Sequence, residues 1–169
     1  MNEPSIFDAT PLIYLGKARI LDKIQLLSRR NIIPTRIFEG VVSKGKQRGD
    51  ADAFYVEELV RCGLLEVQEV PEQRQVLKEN QNLSPADIDV LSLAHQLRGR
   101  AITDDQAVRL AAAIENIPVG GTLSIVLGLV KRGEITRQEC RQLIETMIEQ
   151  GWYCSVSMYA RILQKLDFI

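Results

Sequence analysis

The stretch Ile102–Ala112, ITDDQAVRLAA, joins a short apolar run to an alanine-rich helical pattern through two adjacent aspartates. An apolar run followed directly by a helix is typical of a βαβ unit. Neighbouring carboxylates repel each other, and shielding them from water costs solvation free energy. Asp104 and Asp105 therefore either cap the helix that begins at Gln106 or have a function that offsets this cost.

The same alternation of short apolar runs and helical patterns recurs along the chain. Strands are predicted at residues 5–7, 31–34, 64–70, 100–103 and 117–119, and 152–156 is predicted as a last extended piece. The first two helices are expected to be capped by Thr10 and Thr35. Residues 43–49 are expected to form a loop. The alternation predicts an α/β protein with a parallel sheet.

Composition limits the class of protein. With 169 residues, 46% of them hydrophobic, the chain is expected to form one domain with a substantial core. The longest uncharged stretch, Asn116–Val130, is broken by one proline and several glycines, so no membrane span is predicted. The start of the chain carries no targeting pattern, and three cysteines without CxxC spacing predict buried thiols in a reducing, cytoplasmic setting. A single histidine, His95, excludes a zinc site built from several histidines.

Five acidic residues occupy positions of special interest in this pattern. Asp8, Asp104 and Asp105 lie at predicted strand ends, while Glu39 and Asp87 lie in the early turns of predicted helices. Taken singly, each aspartate can be explained as a helix cap, and Glu39 as a solvated helix residue. Because the carboxyl ends of parallel strands meet at one edge of a sheet, however, the acids are expected to gather there.

Gathered carboxylates need a cation. They raise one another's pKa and destabilise the fold unless positive charge neutralises them. Since the ligands would be oxygen atoms only, the predicted ion is Mg²⁺ or Mn²⁺. Such an ion is expected to serve phosphoryl transfer, in which it orients a water, lowers the pKa of that water and offsets charge on the phosphate oxygens.

The distribution of basic residues is uneven. The formal net charge is −1, so no general positive field favours nucleic acid. The segment Ser43–Gly49, SKGKQRG, nevertheless holds Lys44, Lys46 and Arg48 without an acid. Such a run is either a solvated connection or a contact for an anionic ligand.

Several segments together resemble a known family. They are FDATPLI with Asp8, PTRIFEGVV with Glu39, ADIDVLSLA with Asp87 and ITDD with Asp105, followed by GKQRGDADAF, DDQAVR, VGGTLSIVL and GWYCSVSMYARIL. In this order and spacing they resemble PIN domains, in particular a branch similar to the VapC toxins. One departure is that this branch often carries glutamate where Asp87 stands.

The resemblance implies a fold and a site. The fold would be PIN-like, a three-layer α/β/α arrangement with a short central parallel sheet, as a single domain over 1–169 with a helical extension at about 134–169. The metal ligands and catalytic acids would be Asp8, Glu39, Asp87 and Asp105, with Thr10 and Thr103 as neutral supporting neighbours and Asp104 as a substitute or support for Asp105. Asp89 is excluded because it lies about 200° round the helix from Asp87.

The resemblance also implies an activity and partners. The protein would be a metal-dependent endoribonuclease that hydrolyses phosphodiester bonds of single-stranded RNA, as the toxin of a toxin–antitoxin pair. A small antitoxin and a homodimer are expected as partners. Lys44, Lys46 and Arg48 would contact RNA, and Arg109 would either touch a phosphate or pair with Asp105 one helical turn away.

Two other functions compete with this interpretation. A metal-dependent phosphatase of the haloacid-dehalogenase type requires D-x-D, but Thr10 occupies the second acidic position. A non-catalytic PIN-like module would bind RNA or protein with a degenerate site, which the four acids argue against. If the acids do gather, replacing Asp8 or Asp105 by asparagine is expected to raise thermal stability in the absence of metal.

Overall fold

A short parallel sheet forms the centre of the computed structural model, which describes residues 3–169. The strands are β1 (Ser5–Phe7), β2 (Asn31–Pro34), β3 (Glu66–Gln68), β4 (Arg100–Ile102) and β5 (Val119–Gly120). They lie in the order β3-β2-β1-β4-β5, and every neighbouring pair is parallel. The parallel sheet predicted from the alternation of patterns is therefore confirmed.

Ten α-helices surround this sheet within the described part of the chain. They are α1 (Ala9–Lys17), α2 (Thr35–Phe38), α3 (Lys44–Arg48), α4 (Ala51–Arg61), α5 (Gln75–Lys78), α6 (Pro85–Gln96), α7 (Gln106–Ile114), α8 (Thr122–Lys131), α9 (Arg137–Glu149) and α10 (Val156–Asp167). A 3₁₀ segment covers Leu21–Leu26, and a π-helical segment, Glu39–Ser43, joins α2 to α3.

The central strands are buried on both faces. All residues of β1 and β2 are buried, and Ile6, Phe7, Ile32 and Ile33 are fully shielded from solvent. Because successive side chains of a strand point to opposite faces, continuous burial means that helices cover both sides of the sheet. The predicted three-layer α/β/α fold is confirmed. No helix in residues 3–169 has the length and apolar character needed to cross a bilayer.

The register of the sheet aligns the ends of β1 and β4. Phe7 of β1 pairs with Ile102 of β4, and the backbone N–H of Asp8 donates to the Ile102 carbonyl at 2.9 Å. The next residues of the two strands, Asp8 and Thr103, consequently emerge side by side at the carboxyl edge.

Several local predictions were wrong. The expected loop at Ser43–Gly49 contains α3, which ends at Gly49 with a φ of 81°. The first helix is capped by Asp8, one residue before Ala9, and not by Thr10. The second helix begins at Thr35 itself, without a side-chain cap.

The ends of the chain's later elements also differ from expectation. Residues 152–156 form no strand and lead into α10, while β3 is only three residues long. Of the three cysteines, only Cys140 is buried; Cys62 is exposed and Cys154 half-buried. The predicted terminal helices do form, as α9 and α10.

Candidate functional site at the carboxyl edge of the sheet

Asp8 lies at the centre of the sheet's carboxyl edge, between the end of β1 and the start of α1. Its Oδ1 accepts a hydrogen bond from the Ala9 N–H at 2.7 Å. Its Oδ2 accepts one from the Thr103 hydroxyl at 2.6 Å. Only 8% of the residue is exposed. Its two oxygens are held in place by donors that follow two different strands, β1 and β4.

Thr103 links Asp8 to Asp105. The threonine is fully buried, and its hydroxyl oxygen accepts from the Asp105 backbone N–H at 3.2 Å while the hydroxyl proton is given to Asp8. A threonine hydroxyl has one proton to donate and two acceptor sites, so this geometry uses it in both directions. Thr103 thus joins the two aspartates by hydrogen bonds, and its supporting role at a metal site stays a prediction.

Two other carboxylates act on Asp8 at this edge. Burial is the main cause that raises the pKa of Asp8, and the negative charges of Asp87 and Asp105 raise it further. Hydrogen bonds from Thr103 and Ala9 act in the opposite direction because they favour the charged carboxylate. Asp87 on α6 and Asp105 before α7 thus lie within electrostatic range of Asp8.

The capping explanations for Asp87 and Asp105 also hold. Asp87 Oδ2 accepts from the Ser84 N–H at 2.7 Å in a capping box, and Asp105 Oδ1 accepts from the Val108 N–H at 3.0 Å. In each carboxylate the other oxygen receives no hydrogen bond from residues 3–169. Capping therefore fixes the two side chains and still leaves an oxygen of each for another ligand.

Glu39 is not among the charges that raise the pKa of Asp8. It begins the π-helical segment after α2, is exposed, and lines a groove together with Arg36 and Asp89. Thr10 is half-buried in the first turn of α1, and within the described chain its hydroxyl bonds to no other side chain. Of the four predicted acids, Asp87 and Asp105 thus lie within electrostatic range of Asp8, while Glu39 lines a separate groove.

The carboxylate oxygens of these aspartates are chemically suited to a hard divalent cation, because Mg²⁺ and Mn²⁺ prefer such ligands. Across residues 3–169 no three acidic, histidine or cysteine side chains stand close enough to coordinate one ion together. Mg²⁺ commonly keeps several waters and binds through only one or two carboxylates. The free oxygens of Asp87 and Asp105 beside Asp8 therefore fit such an ion without a complete protein cage.

Asp104 has a different environment from its neighbour Asp105. Its Oδ1 accepts from the Thr122 N–H at 2.8 Å, and its Oδ2 accepts from the Thr122 hydroxyl at 2.6 Å and from Trp152 Nε1 at 2.9 Å. A Cβ at position 121 would lie 2.5 Å from Asp104 Oδ1, so Gly121 is needed beside it. These contacts commit Asp104 to joining β4, α8 and the chain after α9, and we leave it out of the proposed ligand set.

The predicted basic contacts are mostly engaged within the protein. Lys46 Nζ contacts both oxygens of Glu57 at 2.7 and 2.8 Å, and Arg48 pairs with Asp50. Lys44 is exposed on α3.

Arg109 does not pair with Asp105, and its contact with a phosphate stays a prediction. It donates to the Thr103 carbonyl at 3.1 Å, and in the described part of the chain it forms no ion pair with Asp105. Its role is to brace the turn that carries Thr103.

Asp89 and Arg36 form a pair that sequence reasoning missed. Asp89, excluded as a ligand, does not join the three aspartates: its buried carboxylate accepts from Arg36 Nε at 2.9 Å and from Gln73. The partners are 53 and 16 residues away in the sequence, so no local pattern could have indicated them.

The fold and the site define a class of protein. It is an α/β protein with carboxylates collected beyond the central strands of a parallel sheet, the edge at which such sheets bind ligands. A family model described as a PIN domain matches residues 4–167, and the chain therefore belongs to the PIN-domain family. PIN domains are usually metal-dependent nucleases and generally use divalent ions. The predicted family is confirmed, while the closer likeness to VapC toxins stays a prediction.

Two other comparisons add little to the function. Among solved structures the chain is similar to a domain of a functionally unknown protein from Methanocaldococcus jannaschii DSM 2661, at 15% identity and a TM-score of 0.47. The match covers 70% of this chain and 90% of that chain. A comparison with curated proteins found no match.

Proposed function

We propose that the protein is a Mg²⁺- or Mn²⁺-dependent endoribonuclease that hydrolyses phosphodiester bonds of single-stranded RNA. The observation that carries this proposal is the coupling of Asp8 to Asp105 through Thr103, with Asp87 close enough to raise the pKa of Asp8. Carboxylates near one another repel and destabilise the fold. A bound cation that neutralises them explains best why this protein has them there.

Each acidic residue has a role in this proposal. At most two of Asp8, Asp87 and Asp105 would hold the ion directly and the third would act through a bound water, while Glu39 adds negative charge from the groove that it lines. When bound, the divalent ion supplies a Lewis acid that lowers the pKa of water and offsets charge on the phosphate. Asp105, the exposed member of the three, uses its free Oδ2 to accept a proton from the attacking water.

The hydrogen bonds around the acids keep them in position for this chemistry. Thr103 fixes Oδ2 of Asp8, the Ala9 N–H fixes Oδ1, and the capping bonds fix Asp87 and Asp105. Preorganised groups lose little further conformational freedom when the substrate arrives. The Asp104 contacts stabilise the backbone immediately before Asp105.

The proposal includes a biological setting. The protein acts in the cytoplasm as the toxin of a toxin–antitoxin pair, forms a homodimer, and is inhibited by an antitoxin segment that fills the acidic site. The likeness of several sequence segments to the VapC-like branch supports this setting.

The activity is tested with labelled single-stranded RNA and Mn²⁺. Wild-type protein is expected to cleave the RNA, and a chelator is expected to stop cleavage. Asp8→Asn is expected to reduce the rate by about 100-fold or more, since catalytic proton-transfer groups contribute on this scale. Asp167→Asn, an exposed aspartate at the end of α10, is the matched control and should retain the wild-type rate.

Two outcomes would contradict the proposal. RNA binding without metal-dependent cleavage would instead support a non-catalytic binding module. Hydrolysis of a phosphomonoester without cleavage of RNA would support a phosphatase of the haloacid-dehalogenase type.

A further inference from the structure

A groove at the carboxyl ends of β2 and β3, on the same edge of the sheet as Asp8, contains a half-exposed arginine. We call it the Glu39 groove; its lining includes Thr35, Arg36, Glu39, Glu69, Gln73 and Asp89. Arg36 lies three residues before Glu39 in the continuous helical segment, and residues at this spacing share a helical face. The guanidinium of Arg36 and the carboxylate of Glu39 therefore border the same space.

Arg36 is held in this groove by a buried acid. Its Nε donates to Asp89 Oδ2 at 2.9 Å, and the other oxygen of Asp89 accepts from the Gln73 amide. The Asp89 side chain is 9% exposed, whereas that of Arg36 is 54% exposed. A buried carboxylate must be paired to be tolerated, so Asp89 fixes the inner side of the guanidinium and leaves its outer side in solvent.

The outer donors of Arg36 have no partner in the protein. An arginine carries five N–H groups, and only the one on Nε is used by Asp89. The NH1 and NH2 groups contact no acceptor from residues 3–169. By contrast, Lys46 contacts both oxygens of Glu57, and Arg48 contacts Asp50 through both Nε and NH2.

We propose that Arg36 binds a backbone phosphate of the RNA next to the bond that is cleaved, and that Asp89 and Gln73 orient it for this contact. The proposal rests on the ribonuclease function above. A guanidinium with two adjacent free NH₂ groups matches the oxygens of a phosphate in a bidentate arrangement. This role gives a reason for placing a buried aspartate behind an exposed arginine at the rim of an acidic site.

Glu69 opposes the contact. Its carboxylate is exposed in the same groove and repels a phosphate at that position. Glu69→Gln is therefore expected to tighten RNA binding by about twofold, while Arg36→Gln weakens it. Opposite effects of two neutralising substitutions in one groove indicate a phosphate there.

The test measures binding of a short fluorescein-labelled single-stranded RNA by anisotropy, in the Asp8→Asn background so that the RNA is not cleaved. Arg36→Gln is expected to weaken binding about tenfold. It should also reduce the slope of log Kd against log salt by about 0.7, the value for one phosphate contact on a single strand. Arg30→Gln, which removes an exposed arginine paired with Glu66 at the opposite end of β2 from the groove, is the matched control and should change binding by less than about twofold.

Two further variants separate binding from folding. Asp89→Asn keeps the charge of Arg36 but removes its anchor, and is expected to weaken binding about threefold with an unchanged salt slope. The double variant Arg36→Gln/Asp89→Asn leaves no unpaired buried charge, so it should fold and bind as weakly as Arg36→Gln.

The outcomes distinguish this inference from the proposed function. If wild type cleaves RNA but Arg36→Gln and the double variant bind as tightly as Arg30→Gln, the role of Arg36 is overturned and the nuclease stands. If wild type neither cleaves nor binds the RNA, the proposed function fails and the role of Arg36 fails with it.

Discussion

Asp104 and Asp105 are adjacent in the sequence, yet their carboxylates have different surroundings. Asp104 receives three hydrogen bonds, from the backbone and hydroxyl of Thr122 and from the indole of Trp152. Asp105 is exposed, caps α7 through one oxygen and borders Asp8 through Thr103. Both oxygens of Asp104 accept from protein donors, while Asp105 keeps one oxygen without a hydrogen bond from the described residues.

The comparison shows how paired acids divide two tasks. Successive residues after a strand end project in different directions, so Asp104 points to α8 while Asp105 stays at the carboxyl edge. A carboxylate whose two oxygens both accept from distant parts of the chain is suited to holding the fold together. A carboxylate with a free oxygen beside two other acids is suited to binding a cation.

Asp104→Ala is expected to give the largest loss of stability. It leaves the fully buried Thr122 and the Trp152 N–H without their acceptor, and hydrogen bonds to charged groups are the costly ones to lose. We expect the free energy of unfolding to fall by about 4 kcal/mol. Urea unfolding monitored by fluorescence of Trp152, the chain's one tryptophan, measures it.

Asp105→Ala is the matched control for this substitution. It removes one capping bond and should cost about 1 kcal/mol, while it abolishes cleavage of RNA. If the two variants were equally unstable, the division of tasks between the neighbouring aspartates would be wrong.

Trp152→Phe sharpens the comparison from the other side of the Asp104 contact. The phenyl ring keeps most of the buried apolar contact but cannot donate to Asp104 Oδ2. A loss of about 2 kcal/mol is expected, followed by circular dichroism because the fluorescent residue is removed. In the Asp104→Ala background the same substitution should cost clearly less, since the shared hydrogen bond is already absent. Additive losses in the double variant would contradict the contact.

The sequence was a good guide to features determined by local patterns. Apolar runs ending in Asp8 and Thr103 indicated central strands, and the parallel sheet placed Asp8, Asp87 and Asp105 within electrostatic range. The capping explanations also came from local spacing, and they hold alongside the proposed site at Asp87 and Asp105.

Features that depend on distant residues could not be predicted in this way. Asp104 was a candidate ligand because it follows a predicted strand. Its partners, Thr122 and Trp152, are 18 and 48 residues away, so no local pattern indicated that they occupy its oxygens. The basic segment Ser43–Gly49 was expected to be a loop, yet it forms α3 because Lys46 pairs with Glu57 on α4 and Gly45 allows a close approach to Ala53. The position of Glu39 depends on the π-helical segment, for which the sequence offers no simple signal.

The smallest expected effect concerns Asp8→Asn, and its sign depends on pH. Burial and neighbouring acids raise the pKa of Asp8 in the folded protein, so the charged form is less favourable there than in the unfolded chain. At a pH below the pKa of Asp8 in the unfolded chain, the carboxyl group is protonated in both states and its burial costs no charge. As pH rises from about 4 through the raised pKa of the folded protein, wild type loses stability that the asparagine variant keeps. Without metal, Asp8→Asn should therefore be more stable at pH 7, and the advantage should shrink as pH falls towards 4.

Divalent metal should make wild type more stable than Asp8→Asn. This reversal distinguishes cation binding by Asp8 from a role in capping α1 alone. Mn²⁺ bound to the folded wild type stabilises it by mass action, whereas the variant lacks one charged ligand and gains less. Thermal melts at pH 7 with Mn²⁺ and with a chelator measure both effects. If Asp8 served only to cap α1, asparagine would accept the Ala9 N–H equally well, the pH dependence caused by burial would remain, and Mn²⁺ would not change which protein is the more stable. A reversal by Mn²⁺ is expected only when the carboxylate is kept near other acids for a cation.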